Sequence, residues 1–312
     1  MSDHTQPLPP ATAKQNWRKR LLIATPYFWL LLLFLAPFGI VLKISLSDTA
    51  IALPPYSPTF DWSDGFSGLL SLFRELDFEN YLWLSEDPLY LNAYLSSLRI
   101  AATATLLTLL VGYPVAYAMA RAPEQWRPAL LMFMMLPFWT SFLIRVYAWI
   151  GILKNNGLLN FILMSAGITD EPLNILGTNV AVYIGIVYSY MPFMILPLYA
   201  SLEKLDHTLL EAAADLGCPP WKSFWLITLP LTLPGIVAGC ALVFIPSIGE
   251  FVIPDLLGGS ETLMIGKVMW VEFFGNRDWT VASAVAVILL LILVVPIVLF
   301  QRHQEKRGEA FS

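Results

Sequence analysis

Apolar residues in this chain come in long blocks rather than at alternating positions. Five blocks run for at least 21 residues without a charged side chain: Leu21–Val41, Ile100–Ala120, Asn179–Leu202, Ser223–Gly249 and Trp279–Phe300. A sixth, Ala129–Leu153, is interrupted once, by Arg145. About 20 apolar residues in a helix cross the roughly 30 Å hydrocarbon layer of a bilayer. In lipid every backbone N–H and C=O must be paired within the segment, so blocks of this length are helices. The pattern predicts an all-α membrane protein with six transmembrane helices, at about 21–44, 96–120, 129–153, 179–202, 223–249 and 279–301.

The polar connectors set the expected orientation. Segments 1–20, 121–128, 203–222 and 301–312 hold 11 Lys and Arg in 60 positions, whereas 42–99, 145–178 and 250–278 hold 7 in 121. Basic residues favour the cytoplasmic side, so both termini are expected there. The first apolar block is too long for a signal-peptide core and no small-x-small cleavage site follows it, so it reads as a span. The layout is then a cytoplasmic tail over 1–20, with 1–16 a disordered lead, a six-span domain over 21–301 and a cytoplasmic tail over 302–312. The loop 46–92 carries Asp48, Asp61, Asp64, Glu75, Asp77, Glu79, Glu86 and Asp87 against the single base Arg74, and reads as an ordered extracytoplasmic lobe. Phe251–Trp270 is too polar and too broken by glycine for a seventh span; it is expected as a re-entrant or surface element on the outer side.

Composition narrows the function. The chain is 57% hydrophobic and 13% charged, against about 45–50% and 25% in soluble domains. A net charge of −5 excludes a basic nucleic-acid surface, which needs clustered Lys and Arg. The two cysteines, Cys218 and Cys240, make no disulfide framework. His4, His207 and His303 lie far apart, which argues against a metal site or a histidine-based triad. No phosphate-binding loop is present, since "GGSETLMIGKV" has the wrong spacing, and no Gly-x-Ser-x-Gly elbow occurs. Catalytic residues, cofactors and metals are therefore not expected, and the chain is not expected to be its own ATPase.

The connector "EAAADLGCPPWKSFWLITLP" (Glu211–Pro230) is unusually polar for its surroundings. Thr208 followed by Glu211 fits a capping box, and Leu209, Leu210, Ala213 and Leu216 recur at helical spacing. Gly217 suits the left-handed residue that closes a helix, and Pro219 and Pro220 suit the first turn of the next. Small alanines permit close approach of another surface, with Glu211 and Asp215 as polar partners; a plain surface connector is the alternative.

The spacing Glu-Ala-Ala, three residues, Gly, nine residues, Ile-x-Leu-Pro is met by Glu211, Ala212, Ala213, Gly217, Ile227, Leu229 and Pro230. It resembles the permease motif of bacterial ATP-binding-cassette importers. Further stretches, "LPFWTSFLIRVYAWIGILKNNGLLN", "TNVAVYIGIVYSYMPFM", "LVFIPSIGEFVIPDLLGG" and "NRDWTVASAVA", are similar to polyamine importer permeases, most of all the putrescine-type first permease. The resemblance runs from about Leu21 to Phe300. It implies the type I importer permease fold in the bacterial inner membrane, with Glu211, Ala212, Ala213, Asp215 and Gly217 forming the coupling helix that docks an ATPase. It also implies a second permease as heterodimer partner, two cytoplasmic ATP-binding subunits that hold ATP and Mg, and a periplasmic polyamine-binding protein.

For the substrate pathway the candidates are Glu250, Phe251, Tyr147, Tyr190 and Asp255. A carboxylate beside aromatic rings suits an amine through charge pairing and cation–π attraction. Glu250 has the alternative role of partner to Arg145 or of a simple outer-interface acid, and Arg145 itself, which repels a polycation, is expected in a structural ion pair. Trp149, Tyr188 and the other aromatics have the alternative of an interfacial belt. Gly235 and Gly239 form a small-xxx-small packing pair, and Pro192, Pro197, Pro230 and Pro234 are expected to kink spans four and five. Other cargo in the same machinery (ferric iron, sulfate, phosphonate) or a self-contained channel are the competing readings.

Overall fold

The computed structural model describes residues 13–59, 76–206 and 208–309. In chain order they form α1 (Ala13–Leu30), a π-helical turn Leu31–Leu35, α2 (Ala36–Ser45), a two-residue hairpin of β1 (Asp48–Thr49) and β2 (Tyr56–Ser57), and α3 (Glu79–Glu86). Next come α4 (Pro88–Arg121), α5 (Arg127–Met135) with a 3-10 turn Leu136–Trp139, α6 (Phe142–Leu153), α7 (Leu158–Ser165) and α8 (Asn179–Glu203). The remainder is α9 (Thr208–Asp215), α10 (Pro220–Ser223), a π-helical turn Phe224–Thr228, α11 (Leu229–Leu231), α12 (Leu233–Ile248), α13 (Val252–Leu256), α14 (Ile265–Trp270), a π-helical turn Val271–Asn276 and α15 (Trp279–Glu309). Several predicted boundaries move. Helix already begins at Ala13, inside the expected disordered lead, and α15 runs on into the segment expected as a C-terminal tail. Asp61, Asp64, Arg74 and Glu75 of the predicted lobe lie outside the described residues.

The contacts divide the chain into two units. In the first (1–82 with 277–288), Leu22–Ser45 is a continuous apolar stretch of 24 residues that leaves nearly all its large side chains exposed. Its last turn is held by polar contacts. The Asn80 side-chain amide donates to the carbonyls of Ser45 (3.1 Å) and Ser47 (2.9 Å). Lys43 donates to the Pro58 carbonyl and lies 4.3 Å from the Tyr56 ring centre, and Thr49 and Thr280 share a 2.7 Å hydrogen bond. Tyr81, hydrogen-bonded to Ser45, has its phenol pKa raised by burial.

In the second unit (83–276 with 289–312), α4, α8 and α12 pack on one another. α4 starts at Pro88, inside the segment predicted as the 46–92 loop, because the Asp87 carboxylate caps it by accepting from the Leu89 N–H at 2.8 Å. One cluster joins Tyr113, Ala116, Met194, Ile195, Leu198 and Val243. Gly235 and Gly239 bring α12 onto α8 as their spacing predicts. A Cβ on Gly235 would sit 2.7 Å from the Pro197 carbonyl oxygen, and one on Gly239 would sit 2.8 Å from the Met194 sulfur.

Two predicted spans are bent. Arg127–Trp139 and Phe142–Ser165 meet at 88°, and Pro220–Leu231 and Leu233–Ile248 meet at 65°. The first break falls at Thr140, which is extended after the 3-10 turn. The second falls at Thr232, between Pro230 and Pro234, each of which lacks the N–H for an i to i−4 bond. Thr232 Oγ1 donates to the Thr228 and Leu229 carbonyls there. α8, in contrast, passes Pro192 and Pro197 without a break, so the expected interruption appears in only one of the two proline-bearing spans.

Phe251–Trp270 folds inward rather than lying on a surface. Ile253, Leu257 and Met264 are fully buried in a cluster with Ile100, Val146, Val182 and Ile186. The Gly177 N–H donates to the Leu257 carbonyl, and the Ser97 hydroxyl accepts from the Ile265 N–H. The element is a pair of short helices, α13 and α14, packed against α4, α6 and α8.

Candidate functional site

Two places carry the chemistry that the sequence singles out. The first is α9. Its start is set by Asp206, whose carboxylate accepts the Thr208 N–H at 3.0 Å. Thr208 is therefore the first helical residue rather than the cap, and its N–H goes to Asp206 instead of Glu211, so the predicted capping box does not form. The end follows the prediction. Gly217 has φ +75°, its N–H donates to the Ala214 carbonyl, and the Cys218 N–H donates to the Ala213 carbonyl. That paired closure needs a left-handed residue, for which glycine has no Cβ penalty. Pro219 and Pro220 then lead through α10 into the bent span.

Glu211, Ala212, Asp215 and Gly217 are exposed, and Glu211 and Asp215 make no hydrogen bond or ion pair among the described residues. Ala213 is different: at 8% exposure it faces the protein and is not available to a partner. The predicted apolar stripe is also split, because Leu216 is 89% exposed. Sequence reasoning missed the surroundings of this helix. Arg121 and Tyr117 of α4, with Leu210, Ala214, Gly217 and Phe224, line a cavity of about 490 Å³ beside it. Arg127 pairs with Glu203 at 3.8 Å, and Glu203 also accepts from the Tyr199 hydroxyl at 2.8 Å, tying the end of α8 to the start of α5.

The second place is a cavity of about 460 Å³ where α6, α8 and the α12–α13 junction meet. Its lining includes Phe138, Phe142, Arg145, Tyr190, Phe193, Glu250 and Phe251. Glu250 is only 8% exposed, and its oxygens are engaged. Oε2 accepts the Tyr190 hydroxyl at 2.5 Å, and Oε1 accepts the backbone N–H groups of Val252 (3.1 Å) and Ile253 (3.4 Å) at the start of α13. This carboxylate thus holds α13 to α8 while carrying its charge at the cavity wall. Phe251 lies flat on Trp270, ring centres 4.3 Å apart.

Arg145 shares the cavity but makes no ion pair with Glu250 or any other acid among the described residues. The expected structural pair does not form among the described residues; Glu250 accepts from Tyr190 and the α13 backbone instead. Arg145 instead donates to the Pro137 carbonyl across the break in its own span. Its guanidinium lies 5.0 Å from the Phe138 ring centre and 5.8 Å from that of Phe142.

The other candidates stand apart. Tyr147 is 57% exposed and does not line the cavity. Trp149 and Tyr188 pack edge to face, 5.4 Å between centres. Asp255 is exposed and pairs with Lys267 at 3.3 Å. Phe138 and Phe142 escaped sequence reasoning; their offsets of seven and three from Arg145 would share one face of an unbroken helix, but the break at Thr140 separates Phe138 from the other two. Asp48, Asp77 and Glu79 bring exposed carboxylates within 4.8 Å of one another, and Asp77 already accepts the Glu79 N–H.

Helices long and apolar enough to cross a membrane, two bent apolar pairs and a cavity lined by both an acid and a base fit one class: a membrane transport protein. Residues 104–308 match the profile of the family described as the binding-protein-dependent transport system inner membrane component, and the chain belongs to that family. It is a transport subunit of the inner membrane. It is 40% identical over 287 residues to the Haemophilus influenzae spermidine/putrescine transport system permease protein PotB, covering 92% of this chain and 94% of that one. The Salmonella typhimurium protein of the same name is 46% identical over 224 residues, covering 72% and 78%. Among solved structures, a bacterial ABC transporter that imports the acidic polysaccharide alginate superposes with TM-score 0.68 at 17% identity, covering 94% of this chain and 96% of that one. This likeness supports the ABC importer permease fold.

Proposed function

We propose that this chain is one of two permease subunits of an ATP-driven, binding-protein-dependent importer of spermidine and putrescine. It crosses the membrane six times with both termini cytoplasmic. The bent pairs each count as one span, and α15 supplies the sixth. A second, related permease completes a heterodimer, two cytoplasmic ATPases supply the energy, and a periplasmic binding protein delivers the polyamine. The cargo follows the relatives that cover most of this chain, and it is accordingly wider than putrescine alone.

α9 is the coupling helix. The observation that carries this reading is its geometry: Glu211 and Asp215 stand exposed on a short helix closed by Gly217 and continued through Pro219 and Pro220 into a bent span. A displacement of α9 is therefore delivered to that span along the chain. Ala213 supports the helix from beneath, while Glu211, Ala212, Asp215 and Gly217 meet the ATPase. The cavity is part of the cargo path. Its rings offer an ammonium group cation–π contacts of about 0.5–2 kcal/mol each, and Glu250 adds a fixed negative charge.

The test is uptake into proteoliposomes holding the whole importer. Labelled putrescine should enter only with the ATPase, the binding protein and ATP. Unlabelled spermidine should compete, and sulfate should not. Entry without ATP would mean a channel, and competition by sulfate without spermidine would mean another cargo.

A further inference from the structure

Arg145 is the one charged residue within its apolar block, and nothing in the functional reading above uses it. A charged side chain at membrane depth is costly, and one that persists there marks function by default. Its surroundings are specific. It lines the same cavity as Glu250, yet no carboxylate neutralises it among the described residues. Its Nε is buried without a hydrogen-bond acceptor. The Pro137 carbonyl anchors one end of the guanidinium, while its carbon stands near the Phe138 and Phe142 rings. The guanidinium thus occupies the position over those rings that a cargo ammonium would seek.

The cavity without Arg145 would combine a carboxylate with several aromatic faces. Such a surface attracts any small cation, and a path that alternates between two sides of a membrane would then leak sodium and potassium. Glu250 makes no ion pair with Arg145; its oxygens accept from Tyr190 and the α13 backbone instead.

We propose that Arg145 is a tethered positive plug that sets the cation selectivity of the path, excluding small inorganic cations while polyamine passes. A fixed guanidinium raises the potential along the cavity and repels monovalent ions, as basic groups do in other selective pores. A polyamine spreads its charges along a flexible carbon chain, so it can contact several rings at once and displace the guanidinium from Phe138 and Phe142. This inference rests on the reading of the cavity as part of the cargo path.

The experiment compares passive rubidium flux through the complete importer in proteoliposomes for wild type, Arg145→Gln and Arg145→Lys, at matched protein incorporation. Arg145→Gln should raise the flux on the order of tenfold or more, the size expected for losing a unit charge a few ångströms from the path. Arg145→Lys keeps the charge but not the planar fork, and should restore the tight barrier. Flux in Arg145→Gln equal to wild type overturns the proposal. So does equal leakage in both variants, which would mean that the guanidinium only braces the bend through Pro137. Glu250→Gln measured alongside separates the two ideas: lowered polyamine uptake with a silent Arg145→Gln removes the plug and leaves the path reading standing.

Discussion

Glu211 and Glu250 are both acids in a chain poor in charge, yet they stand in opposite states. Glu211 is exposed on α9 and has no hydrogen-bond or ion-pair partner among the described residues. Glu250 is buried, with both oxygens engaged by Tyr190 and the α13 backbone. An exposed, unpaired acid loses little by waiting in water for a partner. A buried acid must be satisfied where it sits, because an unpaired charge there is far more costly. The difference separates a residue that meets another protein from one that builds a wall, and it predicts different failures when each is changed.

The largest effect is expected at the coupling helix. Gly217→Pro cannot adopt φ +75°, since proline is fixed near −65°. It should reduce ATP-driven uptake to background while the protein still reaches the membrane, and Glu211→Lys should do the same by reversing the charge offered to the ATPase. Normal uptake in either variant, with membrane fractions checked by immunoblot, would place α9 among plain connectors.

The next effect separates wall from surface. Tyr190→Phe leaves Glu250 Oε2 without its donor and should lower stability by about 1–3 kcal/mol, read as an earlier thermal unfolding midpoint in detergent. Glu250→Gln keeps an acceptor for the α13 N–H groups and puts an NH2 where Oε2 stood, from which the Tyr190 hydroxyl can turn and accept, so it should unfold closer to wild type yet take up polyamine more slowly. Equal uptake in wild type and Glu250→Gln would leave Glu250 a purely structural residue. The smallest effect is expected at Asp255→Asn, which loses an exposed pair with Lys267 worth at most about 1 kcal/mol. A loss of uptake there would point to contact with the binding protein instead.

Legibility in the sequence followed the range of the interactions involved. The apolar blocks were readable because burial in lipid imposes a length, and the end of α9 was readable because Gly217 and the two prolines act locally. Its start was misread, because Asp206 and Thr208 are both capping residue types and only the folded backbone chose Asp206 as the acceptor of the Thr208 N–H. Prolines were a poor guide to bends. α8 tolerates Pro192 and Pro197 while packed on both α4 and α12, whereas Pro230 and Pro234 flank Thr232, where the helix turns.

By itself the sequence determined the helical membrane class, the short polar helix between two spans and its glycine closure, since each depends on composition or on neighbours within a few residues. Only the tertiary structure decided which acid is free and which is spent. Glu250 meets Tyr190 across 60 positions of chain, and Arg145 makes no ion pair with the acid it was expected to meet. Pairings of buried charges depend on which groups the fold brings within hydrogen-bond reach, and that is a property of packing rather than of order along the chain.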